Sequence, residues 1–319
     1  MLHFRITSPT EMTTDVVEVL SSDPAVSELA VMRGVSMRPA GDVVLADVAR
    51  EAANDVVDRL RDLDLHKHGS VHIEPVHTWM SQRGFDAQEL APGSSADTVV
   101  WAEVTQQAYE DSEANWTFMS LISLATLIAG IAIVLDSQIL VIGAMVIGPE
   151  FGAVAALGVA LVRRRTSLFA SAARTLILGF LVGIFVTTLA AVAGRALGWI
   201  TIGDVTDPRP DTGFIYTPDR WSFLVALIAA SAGVLALTSA RVGGLSGVFI
   251  SVTTIPAAGN VALGIAFGVA DEIRGSVLQL LINLTGMALA GWVTLAIQEA
   301  VWSRVSLHRA RLRDRLRGR

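Results

Sequence analysis

The stretch SQILVIGAMVIGPEFGAVAALGVAL, residues 137–161, decides the fold of this chain. It is almost entirely apolar and exceeds the roughly 20 residues that a helix needs to cross a bilayer. Pro149 stands near its middle, where it removes a backbone donor and interrupts the helix. Such a break is tolerated within a membrane where protein or a water-filled cavity covers it. We therefore predict a broken transmembrane helix over residues 139–162.

The segment LSGVFISVTTIPAAGNVALGIAFG, residues 245–268, repeats this pattern. Pro256 follows Pro149 by 107 residues, and Gly152 and Gly259 each lie three residues after their proline. The sequence thus predicts that spans 1–3 are duplicated in spans 4–6. Three spans are an odd number, so the two copies must lie in opposite orientations, which is the inverted-repeat plan of many secondary transporters. Both prolines then fall near the bilayer midplane, where the two breaks can face each other.

Six transmembrane spans are predicted in the second part of the chain. They lie at residues 117–135, 139–162, 172–194, 221–240, 245–270 and 275–299. The positive-inside rule orients them, because the loop at 163–165 and the tail at 301–319 carry arginines on the side of the N-terminus. We predict a multi-pass protein of the plasma (inner) membrane with both termini in the cytosol. The basic tail is expected to lie against anionic lipid.

The charges divide the chain into two unlike parts. Residues 1–116 hold 20 acidic and 8 basic residues, whereas the remaining 203 hold 10 acidic and 16 basic residues. An acidic head of this kind does not favour nucleic acid as a partner. The chain has no cysteine, which excludes disulfides, cysteine zinc sites, iron–sulfur clusters and thiol nucleophiles.

The head is predicted to be a ferredoxin-like α+β domain over residues 1–82. Its apolar patterns follow the order βαββαβ, with a hairpin at Pro39-Ala40-Gly41. Residues 83–116 are predicted as a linker, at 84–97, followed by an amphipathic helix. The predicted fold class is therefore a six-span helical bundle, an inverted 3+3 repeat with two proline-broken helices, joined to a cytosolic ferredoxin-like domain at residues 1–82.

Glu150 is the acidic residue that lies deep inside a predicted span, and an intramembrane carboxylate is a functional candidate. It can carry a proton, bind a cation, or accept a hydrogen bond from Asn260 or Asn283. Alternatively, it caps its own helix. The candidate residues for binding a substrate or ion are Glu150, Pro149, Gly152, Pro256, Gly259, Asn260, Asn283 and Thr254. Ser251, Thr253 and Thr285 are weaker candidates, because such side chains more often join helices.

The sequence does not fix the charge of the substrate, because two half-helix N-termini would favour an anion and Glu150 a cation. No metal site is predicted, and a cofactor is not identified. The histidines at 66, 68, 72 and 77 follow no pattern of metal ligands and are expected at the surface.

The runs SQILVIGAMVIGPEFGAVAALGVAL and LSGVFISVTTIPAAGNVALGIAFG, together with LLINLTG at 280–286, resemble a family of hydrophobic membrane proteins. This family is known as domain of unknown function 389 (DUF389), and the resemblance covers most of residues 1–300. In the family a hydrophobic residue and a second proline more often follow the proline of the second span, where this chain has Glu150 and Ala153. The resemblance implies the architecture with its small cytosolic head, and the family brings no established activity.

Two functions are compatible with these observations. The first is a secondary transporter or channel-like permease for a small solute or ion, with a midplane site between spans 2 and 5 and a regulatory head. The alternative is a membrane sensor or scaffold that does not transport, whose bundle anchors and oligomerises the head. A homo-oligomer is expected in either case. An enzyme is not predicted, because the sequence has no H-E-x-x-H, no G-x-S-x-G and no phosphate loop.

Overall fold

The computed structural model describes residues 1–91, 93, 95, 98–215, 220–239 and 254–317, without the side chains of residues 214, 222 and 302–317. The chain forms two compact units. Unit 1 comprises Met1–Val104, Thr238–Arg241 and Gln298–Arg319, and unit 2 comprises Thr105–Leu237 and Val242–Ile297.

Unit 1 begins with a small α+β arrangement. Its elements are β1 (Leu2–Ser8), α1 (Thr13–Ser21), β2 (Val26–Met37), β3 (Ala40–Val48), a 3-10 turn (Arg50–Ala52), α2 (Ala53–Asp62), α3 (Leu65–His68) and β4 (Ser70–Pro75). The four strands form one sheet in the order β2-β3-β1-β4, and every neighbouring pair is antiparallel. Alternate residues of β1 and β3 are buried, and they pack with the apolar faces of α1 and α2.

One edge of this sheet is irregular, and the other is short. β2 shifts its register against β3 between Val26 and Glu28 and again between Met32 and Ser36. Gly34 lies in the second shift with φ of 66°, a conformation that favours glycine. The opposite edge strand, β4, has six residues and ends at Pro75.

The segment predicted as a linker contains a helix. α4 (Gln82–Leu90) begins after Ser81, whose hydroxyl accepts a hydrogen bond from the backbone of Gly84. α5 (Trp101–Asp111) follows, within the predicted amphipathic helix. Asn54 ties this segment to α2, because its side chain donates to Val99 O at 2.7 Å and accepts from Trp101 N at 3.0 Å. Residues after 82 therefore contribute to unit 1.

Unit 2 is helical. Its elements are α6 (Trp116–Val134), α7 (Gln138–Ile147), α8 (Glu150–Val162), α9 (Thr166–Ala196), α10 (Gly203–Thr206), a 3-10 turn (Gly213–Ile215), α11 (Arg220–Thr238), α12 (Thr254–Phe267) and α13 (Ala270–Arg317). α13 continues beyond unit 2 through most of the predicted basic tail.

Within the described residues, three helices are long and apolar enough to cross a membrane: Trp116–Val134, Thr166–Ala196 and Ala270–Val301. The pair α7 and α8 qualifies as a fourth, bent by 55°. The interruption predicted at Pro149 is thus present. Phe223–Thr238 and Thr254–Phe267 are shorter apolar helices. They flank residues 240–253, which lie outside the described residues and include the first part of the predicted fifth span, 245–253.

The described part of α12 covers Thr254–Phe267 and contains Pro256. The break predicted at Pro256 stays a prediction, because residues 240–253, which precede α12, lie outside the described residues.

Small residues bring α6 and α9 together in parallel. Gly179 lies against Phe118, Gly183 lies against Thr126, and the hydroxyls of Thr187 and Thr126 are 3.1 Å apart. These contacts follow both helices in the same direction, so α6 and α9 are parallel. The chain between the end of α6 and the start of α9 must therefore run in the opposite direction, and the bent pair α7–α8 forms this segment.

Candidate functional site

The first turns of α8 and α12 meet inside unit 2. The Thr254 hydroxyl donates a hydrogen bond to Glu150 Oε1 at 2.6 Å, and both side chains are fully buried. Gly148 makes the approach possible, because a Cβ there would lie 2.5 Å from Glu150 Oε2 and 2.8 Å from Ile255 Cγ1. We call Gly148, Pro149, Glu150, Thr254 and Ile255 the helix junction.

Glu150 connects two helices at this junction. A helix N-terminus carries a partial positive charge that favours an anionic group. The Glu150 carboxylate belongs to the first residue of α8, and its hydrogen bond with Thr254 crosses from α8 to α12. A residue that only caps its own helix would not make this contact with α12, so Glu150 does more than cap α8. The N-cap position of α8, Pro149, has no capping side chain.

A second polar cluster surrounds Asn260 on α12. Arg209 Nη1 donates to Asn260 Oδ1 at 3.0 Å, and Arg209 Nη2 lies 2.9 Å from Glu272 Oε2. Asn260 Nδ2 donates to Glu272 Oε2 at 2.6 Å and to Ser276 Oγ at 2.8 Å. All four side chains are buried. We call Arg209, Asn260, Glu272 and Ser276 the buried ion-pair network.

Asn260, which the sequence offered beside Asn283 as a possible donor to Glu150, lies in this network. Its amide instead joins the loop before α11 to the start of α13. Six residues separate Thr254 from Asn260, or about 9 Å at 1.5 Å per helical residue. The junction and the network are therefore neighbouring but separate clusters on α12.

One face of α13 carries further buried polar side chains. Glu272, Ser276, Gln279 and Asn283 recur at intervals of four, three and four residues, which places them on one side of a helix. Gln279 is fully buried, and neither atom of its side-chain amide has a hydrogen-bond partner among the described residues. Leaving such a group unsatisfied costs about 1–3 kcal/mol, so a native structure retains it for a reason.

The remaining predicted site residues have different surroundings. A Cβ on Gly259 would lie 3.0 Å from Ala129 Cβ, so this glycine allows α12 to approach α6. Gly152 lies against Asp111, whose Cγ would be 2.8 Å from a Cβ at that position. Asn283 is buried on α13. Ser251 and Thr253 lie outside the described residues.

Asp111 places another carboxyl group near the first turn of α8. Burial raises the pKa of Asp111 above its usual value, and the neighbouring Glu110 adds to the effect. Gly152 admits this side chain, because α8 has no Cβ at the point of contact.

Several of these residues were not identified from the sequence. Glu272, Ser276 and Gln279 could have been found from their helical spacing with Asn283, whereas Arg209 lies in a loop without a periodic pattern. Among the described residues, no group of three or more His, Cys, Asp or Glu side chains is arranged to hold a metal ion.

Comparison with known proteins supports the resemblance. The model of the family described as Domain of unknown function (DUF389) matches residues 145–289. An uncharacterized protein of Methanocaldococcus jannaschii is 28% identical over 175 residues, which are 55% of this chain and 52% of the relative. The chain thus spans about half the length of the curated relative that it matches. No solved structure matches the chain.

The matched region begins in α7 and ends in α13, so it contains both the helix junction and Asn260, Glu272 and Ser276. The resemblance to DUF389 noted in the sequence is thus supported by the match of the family model over residues 145–289.

Proposed function

We propose that this protein is a secondary transporter or channel-like permease for a small solute or ion. Its substrate site lies at the helix junction, between predicted spans 2 and 5. The observation that carries the proposal is the hydrogen bond from Thr254 to Glu150, which joins the start of α8 to a second apolar helix, α12. Interrupted helices whose ends point at one place are the usual construction of transporter sites. A bundle that serves as an anchor needs no such junction.

The proposed topology has six spans in an inverted 3+3 repeat, in the plasma membrane, with both termini in the cytosol. Contacts between loops support it. Asp136, after α6, accepts hydrogen bonds from Asp211 N and from the Thr212 hydroxyl. Arg209 of the same loop pairs with Glu272 at the start of α13. These three loops, all assigned to the outside by the positive-inside rule, thus lie together.

The head is proposed to be a ferredoxin-like regulatory domain, which its element order and sheet order support. It also has a polar hollow of about 340 Å³ lined in part by His3, Glu28, Asp47 and Arg83. His3 Nδ1 and Asp47 Oδ1 lie 2.6 Å apart there. This hollow favours a sensing role for the head. The alternative function, a sensor or scaffold that does not transport, would give the head the same role.

Further parts of the proposal concern partners and chemistry. The protein is proposed to form a homo-oligomer, to hold its basic tail against anionic lipid and not to bind nucleic acid. It is proposed not to be an enzyme, since its sequence has none of the catalytic motifs considered above.

The transport proposal predicts that Thr254→Val abolishes most solute flux while the protein still folds. Valine keeps the shape of threonine but cannot donate to Glu150, so the junction loses a direct contact between α8 and α12. We expect at least a tenfold loss of flux in reconstituted vesicles, measured with a panel of ions and small metabolites. Thr188→Val is the matched control, because Thr188 donates to the backbone of Ala262 on α12, away from the junction. Full flux in Thr254→Val would contradict the site, and absence of wild-type flux for every solute would favour the sensor or scaffold.

The proposed orientation predicts different labelling of two introduced cysteines. The chain has no cysteine of its own, so Asp207→Cys and Ser306→Cys each give a single thiol. In intact cells a membrane-impermeant maleimide should label only the first, because it lies in an outside loop. Labelling of both after permeabilisation is the control. Equal labelling of both in intact cells would exclude the six-span topology.

A further inference from the structure

We propose that the proton is the coupling ion, that Glu150 binds it, and that Gln279 connects Glu150 through bound water to the buried ion-pair network. This inference rests on the proposed transport function and names the ion that drives it. It assigns a role to Gln279, Glu272 and Asp111, which the sequence analysis did not single out.

The register between α12 and α13 places Gln279 between the two polar clusters. Asn260 contacts Ser276, and a Cβ on Gly264 would lie 2.8 Å from Ile273 Cγ1. The two helices are thus antiparallel, so a later residue on α13 lies beside an earlier residue on α12. Gln279 lies three residues, or about 4.5 Å, beyond Ser276. It is therefore level with the turn that follows Thr254.

The amide of Gln279 is the observation that points to a bound group. A fully buried glutamine can use its oxygen as an acceptor and its nitrogen as a double donor. Neither atom has a partner among the described residues, although Ser276 one turn away is hydrogen-bonded. Water satisfies such groups in protein interiors, and it also conducts protons between carboxyl groups. A water at Gln279 would continue the polar path from Glu272 and Asn260 towards Glu150.

The composition of the junction favours a proton over a metal cation. A proton needs a single carboxylate, whereas a metal ion such as Ca²⁺ needs six to eight oxygen ligands. In the described part of the junction, Glu150 is the acidic residue, and the hydroxyl of Thr254 directs its hydrogen at Glu150 Oε1. One carboxylate with one hydroxyl donor is sufficient to hold a proton, whereas it supplies few of the oxygen ligands that such a metal ion needs.

A route to the opposite side begins at Asp111. Its carboxylate lies against Gly152, and Gly152 belongs to the first turn of α8, as Glu150 does. Its raised pKa means that it takes up a proton more readily than an ordinary aspartate. Glu272, Glu150 and Asp111 would then mark the outer end, the middle and the inner end of one path.

Charged groups also lie on the described elements around α8 and α12. Within unit 2, besides Glu150, the charged residues on α5 to α13 are Glu110, Asp111, Arg174, Arg195, Asp204, Arg220, Asp271, Glu272 and Arg274. Arg174 is exposed on α9, and Arg195 donates to Ala266 O at 3.0 Å near the far end of α12. In the loop before α11, the Arg209 guanidinium pairs with Glu272, which balances its charge.

Protonation of Glu150 needs no reactant other than a hydronium ion. A hydronium ion reaching the junction gives its proton to the Glu150 carboxylate, which becomes a neutral carboxyl group, and leaves one water molecule. Release reverses the step, when the carboxyl group gives the proton to water on the other side. Thr254 can keep its hydrogen bond to Oε1 in both states.

The test uses infrared difference spectroscopy of the full-length protein in lipid, recorded as the pH is changed in H₂O and D₂O. We expect a carboxyl band that titrates and shifts on deuteration. It should be lost in Glu150→Gln and retained, at a changed frequency, in Glu150→Asp. Glu113→Gln, which removes an exposed carboxyl group, should leave this band unchanged. Gln279→Leu should keep the band but slow its deuterium exchange at least tenfold.

The outcomes separate this inference from the transport proposal, because the spectrum is measured without a solute. A Glu150 band with no solute flux would support proton binding and contradict transport. Solute flux with an identical titrating band in Glu150→Gln and wild type would overturn the proton assignment. Flux that depends on sodium at constant pH, with no dependence on pH, would also overturn it.

Discussion

Replacing Arg209 with methionine should lower the free energy of unfolding by about 3–5 kcal/mol, because it leaves Glu272 buried without its cation. The Arg209 and Glu272 side chains are only 5% and 11% exposed, so water cannot compensate the lost pair. Asn260 would also lose its donor from Arg209. We expect this loss in reversible unfolding of the purified protein by SDS in mixed micelles.

The double variant Arg209→Met/Glu272→Met separates the ion pair from general damage to packing. Apolar side chains of similar size often replace a buried pair without loss of stability, so most of the lost free energy should return. Arg220→Met is the matched control, since Arg220 is exposed at the start of α11. If the double variant is as unstable as Arg209→Met, the cost does not arise from an unpaired Glu272.

Replacing Gly158 with leucine should destabilise unit 2 by about 3 kcal/mol, the upper part of the usual range for overpacking. A Cβ on Gly158 would already lie 3.0 Å from the backbone carbon of Gly291 and the backbone nitrogen of Trp292. Backbone atoms cannot rotate away as the end of a side chain can, so α8 and α13 would have to separate. The same unfolding experiment measures the effect, with size-exclusion chromatography to detect aggregates.

Gly143→Leu is the control for this helix contact. Gly143 lies on α7, and a Cβ there meets no atom within 4 Å among the described residues. Leucine at this position should change the stability by less than about 0.5 kcal/mol, as surface substitutions usually do. Equal loss in both variants would show that glycine matters here for its backbone alone and not for the contact with α13.

The first span and the interruption at Pro149 were predictable because they depend on local sequence. The first span was predicted at 117–135, and α6 covers Trp116–Val134. A long apolar run and a proline act on the backbone within a few residues, so no tertiary information is needed. The hydrogen bond between Glu150 and Thr254 was not predicted, because the sequence offered Asn260 or Asn283 as the donor to Glu150.

The buried ion-pair network was not predictable in the same way. Arg209 is polar and lies in a loop with several acidic residues, so its sequence environment resembles that of a solvated side chain. Its burial depends on how a loop folds over α12 and α13, which no periodic pattern encodes. The helix at 82–90 was missed for a related reason, because its polar sequence, QRGFDAQEL, gives little apolar periodicity.

The two edges of the sheet in the head, one irregular and one short, have a consequence for its behaviour at high concentration. A regular edge strand offers free backbone groups to another molecule and can nucleate aggregation. The two register shifts of β2 increase the local twist, and β4 is short and ends in a proline that cannot donate. Both edges therefore disfavour joining strand to strand with another copy of the head.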